Sequence, residues 1–156
     1  MYLEIKNYDQ AHKILTRAVA EDPDIPMSHI SLGEYYIEVG RLDSAQIKFH
    51  EALAMEQINT REREVALYKS GMAYVKAKRY AEARKTLEEA VAVSPKHVEA
   101  HEWLGMACYH LKDYCPAQRA FLHARELDQH EQPRRCKYAT EYLSMILSET
   151  KKPCSN

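Results

Sequence analysis

The amino-acid sequence predicts an all-α protein built as a stack of antiparallel helix pairs, and three observations predict it. Only 4 of the 156 residues are glycine, while Ala, Glu, Lys, Leu and Arg abound; those side chains lose little freedom on entering a helix. Apolar residues fall at spacings of three and four, the stripe of a helix with one buried face. Finally, "LGEYYIEVGRLDSAQIKFHEALAM" from Leu32, "SGMAYVKAKRYAEARKTLEEAVAVSP" from Ser70 and "LGMACYHLKDYCPAQRAFLHAREL" from Leu104 spell one pattern three times. Their glycines, Gly33, Gly71 and Gly105, are 38 and then 34 residues apart, and self-similarity at such a period marks a repeat architecture.

Each element follows from its residues. An early partial copy, residues 1–25, carries Tyr8, Ala11, Leu15, Ala18 and Pro23 in the order of the later copies; ahead of it, Tyr2 to Lys6 is a stub of less than two turns. Three full copies follow at 26–59, 60–96 and 97–130. Glycine inside a helix costs about 1 kcal/mol relative to alanine, so Gly33, Gly71 and Gly105 imply close approach of a neighbouring helix. Ala45, Ala83 and Ala117 open a buried stripe on the partner helices. Phe49, Leu87 and Phe121 continue it four residues later, and Ala52, Ala90 and Ala124 complete it. Pro95 stops one helix, and Pro116 and Pro133 suit first turns. The 38-residue interval adds four residues, about one helical turn, around "MEQINTRERE" (Met55 to Glu64), and either longer helices or a longer polar turn is expected there. Residues 132–149, with Tyr138, Tyr142, Met145 and Ile146 on one stripe, form a last helix that covers the apolar end. The tail 150–156 is expected to be disordered.

The three full copies together resemble the tetratricopeptide repeat, a helix–turn–helix unit of 34 residues. The resemblance rests on Leu32, Gly33, Tyr36, Leu42, Ala45, Phe49 and Ala52; on Gly71, Tyr74, Tyr80, Ala83, Leu87, Ala90 and Pro95; and on Leu104, Gly105, Tyr109, Tyr114, Ala117, Phe121 and Ala124. It implies one domain over residues 1–149, a right-handed superhelical solenoid closed by a capping helix. It also implies a protein-interaction scaffold with a concave groove lined by the first helix of each pair.

Composition narrows the function classes. Charges nearly cancel, 22 Lys+Arg against 23 Asp+Glu, so no long-range field draws in nucleic acid or an acidic membrane. The basic clusters "KAKR" (Lys76 to Arg79) and Arg134-Arg135 read as solvated helix faces. No stretch has the length of a membrane span, and the first residues lack the apolar core of a signal peptide. The expectation is a cytoplasmic chain with reduced thiols at Cys108, Cys115, Cys136 and Cys154. Chemistry is sparse. His97 and His101 stand four apart, yet no third ligand accompanies them, so they read as helix-surface histidines and no metal or other cofactor is expected. Cys115 near His110 marks a turn rather than a thiol–base pair. No phosphate-cradling loop or nucleophile elbow is present, so the chain is not expected to be an enzyme.

Helical geometry places Met27, Ile30, Glu34 and Ile37 in the groove in the first full repeat, Val65, Tyr68, Met72 and Val75 in the second, and Glu102, Met106 and Tyr109 in the third. Glu38, Lys76, Glu99 and His110 face the groove with them. Such a surface suits an extended peptide or an amphipathic helix of another protein, and its glutamates favour ligands with basic margins. Some members of the family hold acidic chaperone tails through a Lys/Asn/Arg clamp; Lys69, set among acids and hydrophobics, is a poor match for that mode. The alternative is a structural self-assembly module, a homo-oligomer formed through the incomplete first repeat.

Overall fold

Eight helices joined by short turns make up the computed structural model, which describes residues 2–131 and 138–150. In order they are α1 (Tyr2–Glu21), α2 (Pro26–Glu38), α3 (Leu42–Leu53), α4 (Thr60–Lys76), α5 (Tyr80–Val93), α6 (Val98–His110), α7 (Tyr114–Glu131) and α8 (Ala139–Thr150), with no strand among the described residues. Consecutive helices double back on each other as the pairs α2/α3, α4/α5 and α6/α7.

The turn inside each pair is built the same way. Gly40, Lys78 and Lys112 occupy one register and all have positive φ (76°, 59° and 64°). The following amide then reaches back to the last helical turn: Arg41 to Tyr36, Arg79 to Tyr74 and Asp113 to Cys108. This Schellman closure satisfies carbonyls that a helix end leaves open.

The glycines meet their partner helices as their residue type requires. A methyl group on Gly33 would lie 2.7 Å from Phe49 Cε1, and one on Gly105 would lie 2.8 Å from Phe121 Cε1. On Gly71 it would press on Leu87 Cγ and lie 2.6 Å from Cδ2. Ala45, Phe49 and Ala52 are fully buried, as are Ala83, Leu87, Ala117, Phe121 and Ala124.

The extra residues of the second repeat lengthen α4 at its start. It begins eleven residues before Gly71, whereas α2 and α6 begin seven before theirs. Asn59 caps this added turn: its side chain accepts from the Glu62 amide at 2.9 Å while the Glu62 carboxylate accepts from the Asn59 amide at 3.0 Å.

Two expectations are corrected. The segment ahead of Tyr8 is not a separate stub, because residues 2–21 run as one continuous helix; without a breaking residue before Pro23, nothing interrupts it. Cys115 is disulfide-bonded rather than a free thiol, since pairing depends on spatial closeness that sequence spacing does not reveal. Cys108 is free and buried, and burial pushes its thiol up to about 11. Pro133, Cys136, Cys154 and the tail beyond Thr150 lie outside the described residues.

The order of contacts also fixes the curvature. First helices touch one another, α2 with α4, α4 with α6 and α6 with α8, while α3, α5 and α7 make no such mutual contact among the described residues. The layer of touching helices follows the shorter arc, so α2, α4, α6 and α8 line the concave side.

Candidate binding groove

On the concave side the first helices carry few bulky residues that reach solvent. Met27 is 42% exposed; Glu34, Val65, Tyr68, Met72 and Tyr109 are half-buried. Glu34 and Lys69 join α2 to α4 through an ion pair of 2.8 Å. Tyr68, midway along α4, packs its ring at 4.5 Å from the ring of His97, and the Lys69 ammonium lies 5.8 Å from the Tyr68 ring centre. Burial, followed by the negative charge of Glu99, Glu102 and Glu34, raises the Tyr68 hydroxyl above its ordinary pKa. The centre of this face is thus an aromatic ring with both an ammonium and carboxylates near it.

The remaining residues expected in the groove are placed differently. Ile30, Ile37, Val75 and Met106 are buried, with Ile30 fully so. They sit in the apolar clusters that join successive pairs. The reason is packing between neighbouring helices, which closes these four side chains off and leaves them backing the wall instead of opening on it. Of the apolar and aromatic residues expected in the groove, Met27, Val65, Tyr68, Met72 and Tyr109 keep part of their surface open.

Glu102 has turned to another task. The residue is 3% exposed and its carboxylate Oε1 accepts from the amides of Tyr138 at 2.7 Å and Ala139 at 3.0 Å. These are donors at the start of α8, where a helix presents unpaired N–H groups and the positive end of its dipole. Replacing Glu102 with alanine leaves those donors unpaired and is expected to cost about 1–2 kcal/mol, with loss of amide-exchange protection confined first to α8. Unchanged protection there would remove this role.

The histidine pair is also not a surface pair. His97 is the N-cap of α6, its Nδ1 accepting from the Ala100 amide at 3.1 Å. His101 is buried, and its Nε2–H donates to the Pro95 carbonyl at 2.8 Å. Burial holds its pKa below the ordinary histidine value, with His123 and His97 acting in the same direction. His29 repeats the arrangement, donating from Nε2 to the Pro23 carbonyl at 2.9 Å. The sequence signal for this device is Pro followed six residues later by His, present twice. Two other features escaped sequence reasoning. One is the buried exchange between Gln46 and Ser70, in which Nε2 donates to the Ser70 carbonyl at 2.8 Å and Ser70 Oγ donates to Oε1 at 2.6 Å. The other is a cleft of about 310 Å³ on the outer side between α3 and α5, lined in part by His50, Ser70, Tyr74 and Lys85. No group of three or more His, Cys, Asp or Glu side chains suited to a metal ion occurs among the described residues.

Helix pairs stacked side by side, with a continuous inner layer, define a helical-repeat scaffold. The chain belongs to the tetratricopeptide repeat family, whose sequence profile matches residues 2–57 and 68–115, more than half of it. A search of curated protein sequences finds no match. Among solved structures the chain is similar to the first tetratricopeptide domain of Spaghetti (RPAP3) bound to the HSP90 peptide SRMEEVD, with TM-score 0.71, 21% identity, and 81% of this chain and 94% of that one covered. It is similar to MamA, residue 41 to the end, from Desulfovibrio magneticus RS-1, with TM-score 0.72, 21% identity, and 98% and 91% covered. It is also similar to pilF of Pseudomonas aeruginosa, with TM-score 0.75, 25% identity, and 96% of this chain but 64% of that one covered. These likenesses bear on the fold. Among the described residues no helix is long and apolar enough to cross a membrane.

Proposed function

We propose that this chain is a non-catalytic cytoplasmic adaptor that holds a segment of a partner protein against α2, α4 and α6. The observation that carries this reading is Tyr68, half-buried at the middle of the concave side with Glu34 and Glu99 of the two neighbouring first helices near it. A ligand suited to it brings an apolar side chain to Tyr68, Met72 and Met27, and basic side chains to Glu34 and Glu99 beside them. Methionine contributes a surface that adapts to varied apolar shapes.

An acidic peptide such as the one bound by the RPAP3 domain fits less well. Lys69 is already paired with Glu34 at 2.8 Å, and an incoming carboxylate would have to displace that partner.

A random peptide library screened against the chain tests the reading. Enrichment is expected for apolar residues flanked by Lys or Arg. Binding of the selected peptides is expected to weaken about tenfold or more in Met72→Ala and in Glu99→Lys, tenfold corresponding to about 1.4 kcal/mol, with little change in helical content. Selection of acidic C-terminal peptides, or binding indifferent to both substitutions, overturns it.

A further inference from the structure

One latch occurs twice in this chain, 72 residues apart, with a single partner exchanged. Pro23 and Pro95, His29 and His101, and Glu51 and His123 all share that offset. In both copies a buried imidazole donates from Nε2 to the carbonyl of the proline ahead of its helix, at 2.9 Å from His29 and 2.8 Å from His101. That bond fixes the tautomer, so Nδ1 is the nitrogen left to take a second proton. In the first pair Nδ1 of His29 lies 2.8 Å from the Glu51 carboxylate of α3, and a proton there meets an opposite charge.

In the third pair the register of Glu51 holds His123 of α7. Its ring meets the ring of His101 edge to face, with centroids 4.5 Å apart and planes at 78°. A proton on each ring therefore sets two like charges in contact, at a seam where His101 is 9% exposed. Burial favours the neutral His101 ring, and His123 and His97 act in the same direction, opposed by the bond to the Pro95 carbonyl. Arg119 of α7 lines the same cleft, of about 280 Å³, and adds a cation. Glu126 of α7 lies 3.9 Å from His123 Nδ1, but its side chain is 72% exposed and water screens the pair. Glu64 of α4 and Glu99 of α6 stand by His97, at 3.8 and 3.5 Å. No charge on α5 or α8 acts on His101 among the described residues.

We propose that the contact between α6 and α7 is an acid-sensitive joint: protonation of His101 beside His123 drives the two helices apart, while the same latch in the first pair holds because Glu51 stands where the second histidine would be. As pH falls through the ordinary histidine value of about 6.5, the unfolded chain takes the proton before the folded one does, and the joint weakens from there down. α6 carries Glu99 and Tyr109 of the concave side, and its Glu102 holds the start of α8, so loosening it from α7 reaches both. The joint is independent of which ligand the concave side takes.

Amide-exchange protection of the full chain, compared between about pH 7.5 and about pH 5.5, spans the histidine range and tests this. Protection in α6 and α7 is expected to drop about tenfold or more relative to that in α2 and α3. His123→Glu gives the third pair the partner of the first and is expected to abolish the drop. Glu51→His makes the reverse exchange and is expected to transfer the acid sensitivity to α2 and α3. The side chains of His123 and Glu51 are 47% and 40% exposed, so both variants are expected to keep wild-type helical content at the higher pH, which circular dichroism checks. Protection in α6 and α7 that ignores pH in the wild-type chain overturns the proposal. An equal drop in wild type and His123→Glu does so too, and would place the effect in the His97 cap of α6. Acid-stable α2 and α3 in Glu51→His likewise overturn it.

Discussion

Phe121→Ala is expected to destabilise the chain by about 3–5 kcal/mol, the usual cost of emptying the place of a buried aromatic ring. Phe121 is fully buried and has three neighbours that no single smaller side chain replaces. Gly105 gives it room on α6, Ala117 lies one turn before it on α7, and Tyr142 of α8 stacks on its ring at 5.1 Å and 23°. The loss removes a large share of the margin that an ordinary domain has. In a linear stack each repeat contacts only its neighbours, so the damage is expected to stay local. Amide exchange followed across the chain checks this: protection in α6, α7 and α8 falls first, while α2 and α3 keep theirs. Uniform loss along the whole chain would show that the stack unfolds as one unit.

Gly71→Ala is expected to be destabilising by up to about 3 kcal/mol, the range for forcing an extra carbon into a packed core. This runs against helix propensity, which alone would favour alanine by about 1 kcal/mol. Packing wins because the new methyl group meets Leu87 at its branch point, Cγ, and not only at the flexible ends. The same logic gives a change of sign. In a Leu87→Ala background the methyl group enters vacated space, and Gly71→Ala is expected to become neutral or stabilising. Thermal melts of the four chains in this double-mutant cycle measure the coupling. If Gly71→Ala has the same effect in both backgrounds, the close approach of α4 and α5 is not what the glycine serves.

Much of the fold was legible because the physics behind it is local and repeated. A glycine that lowers helix propensity recurs three times opposite a large residue on the following helix, and that pattern has few explanations besides close packing of a pair. Four added residues near Asn59 could likewise be read from the lengthened interval, although not whether they lengthen a helix or a turn. The groove was legible only in part. Helical register identified the side of each first helix that carries Ile30, Tyr68 and Glu102, but not how far the next first helix overlaps it. Ile30 is covered, Tyr68 is half open, and Glu102 is drawn to the amides that begin α8. One register thus has three fates, because burial depends on the neighbour and not on the helix that bears the residue.

The amino-acid sequence by itself determined the succession of helix pairs, their small-against-large seams and the family to which the chain belongs, since each of these is written in spacings of four to about forty residues. Tertiary structure alone decided which side chains of the inner layer reach water, that Glu102 holds a helix instead of a ligand, and that His101 is buried while His97 caps. Those outcomes depend on distances between residues of different helices, fixed when the pairs stack, and no single stretch of chain carries them.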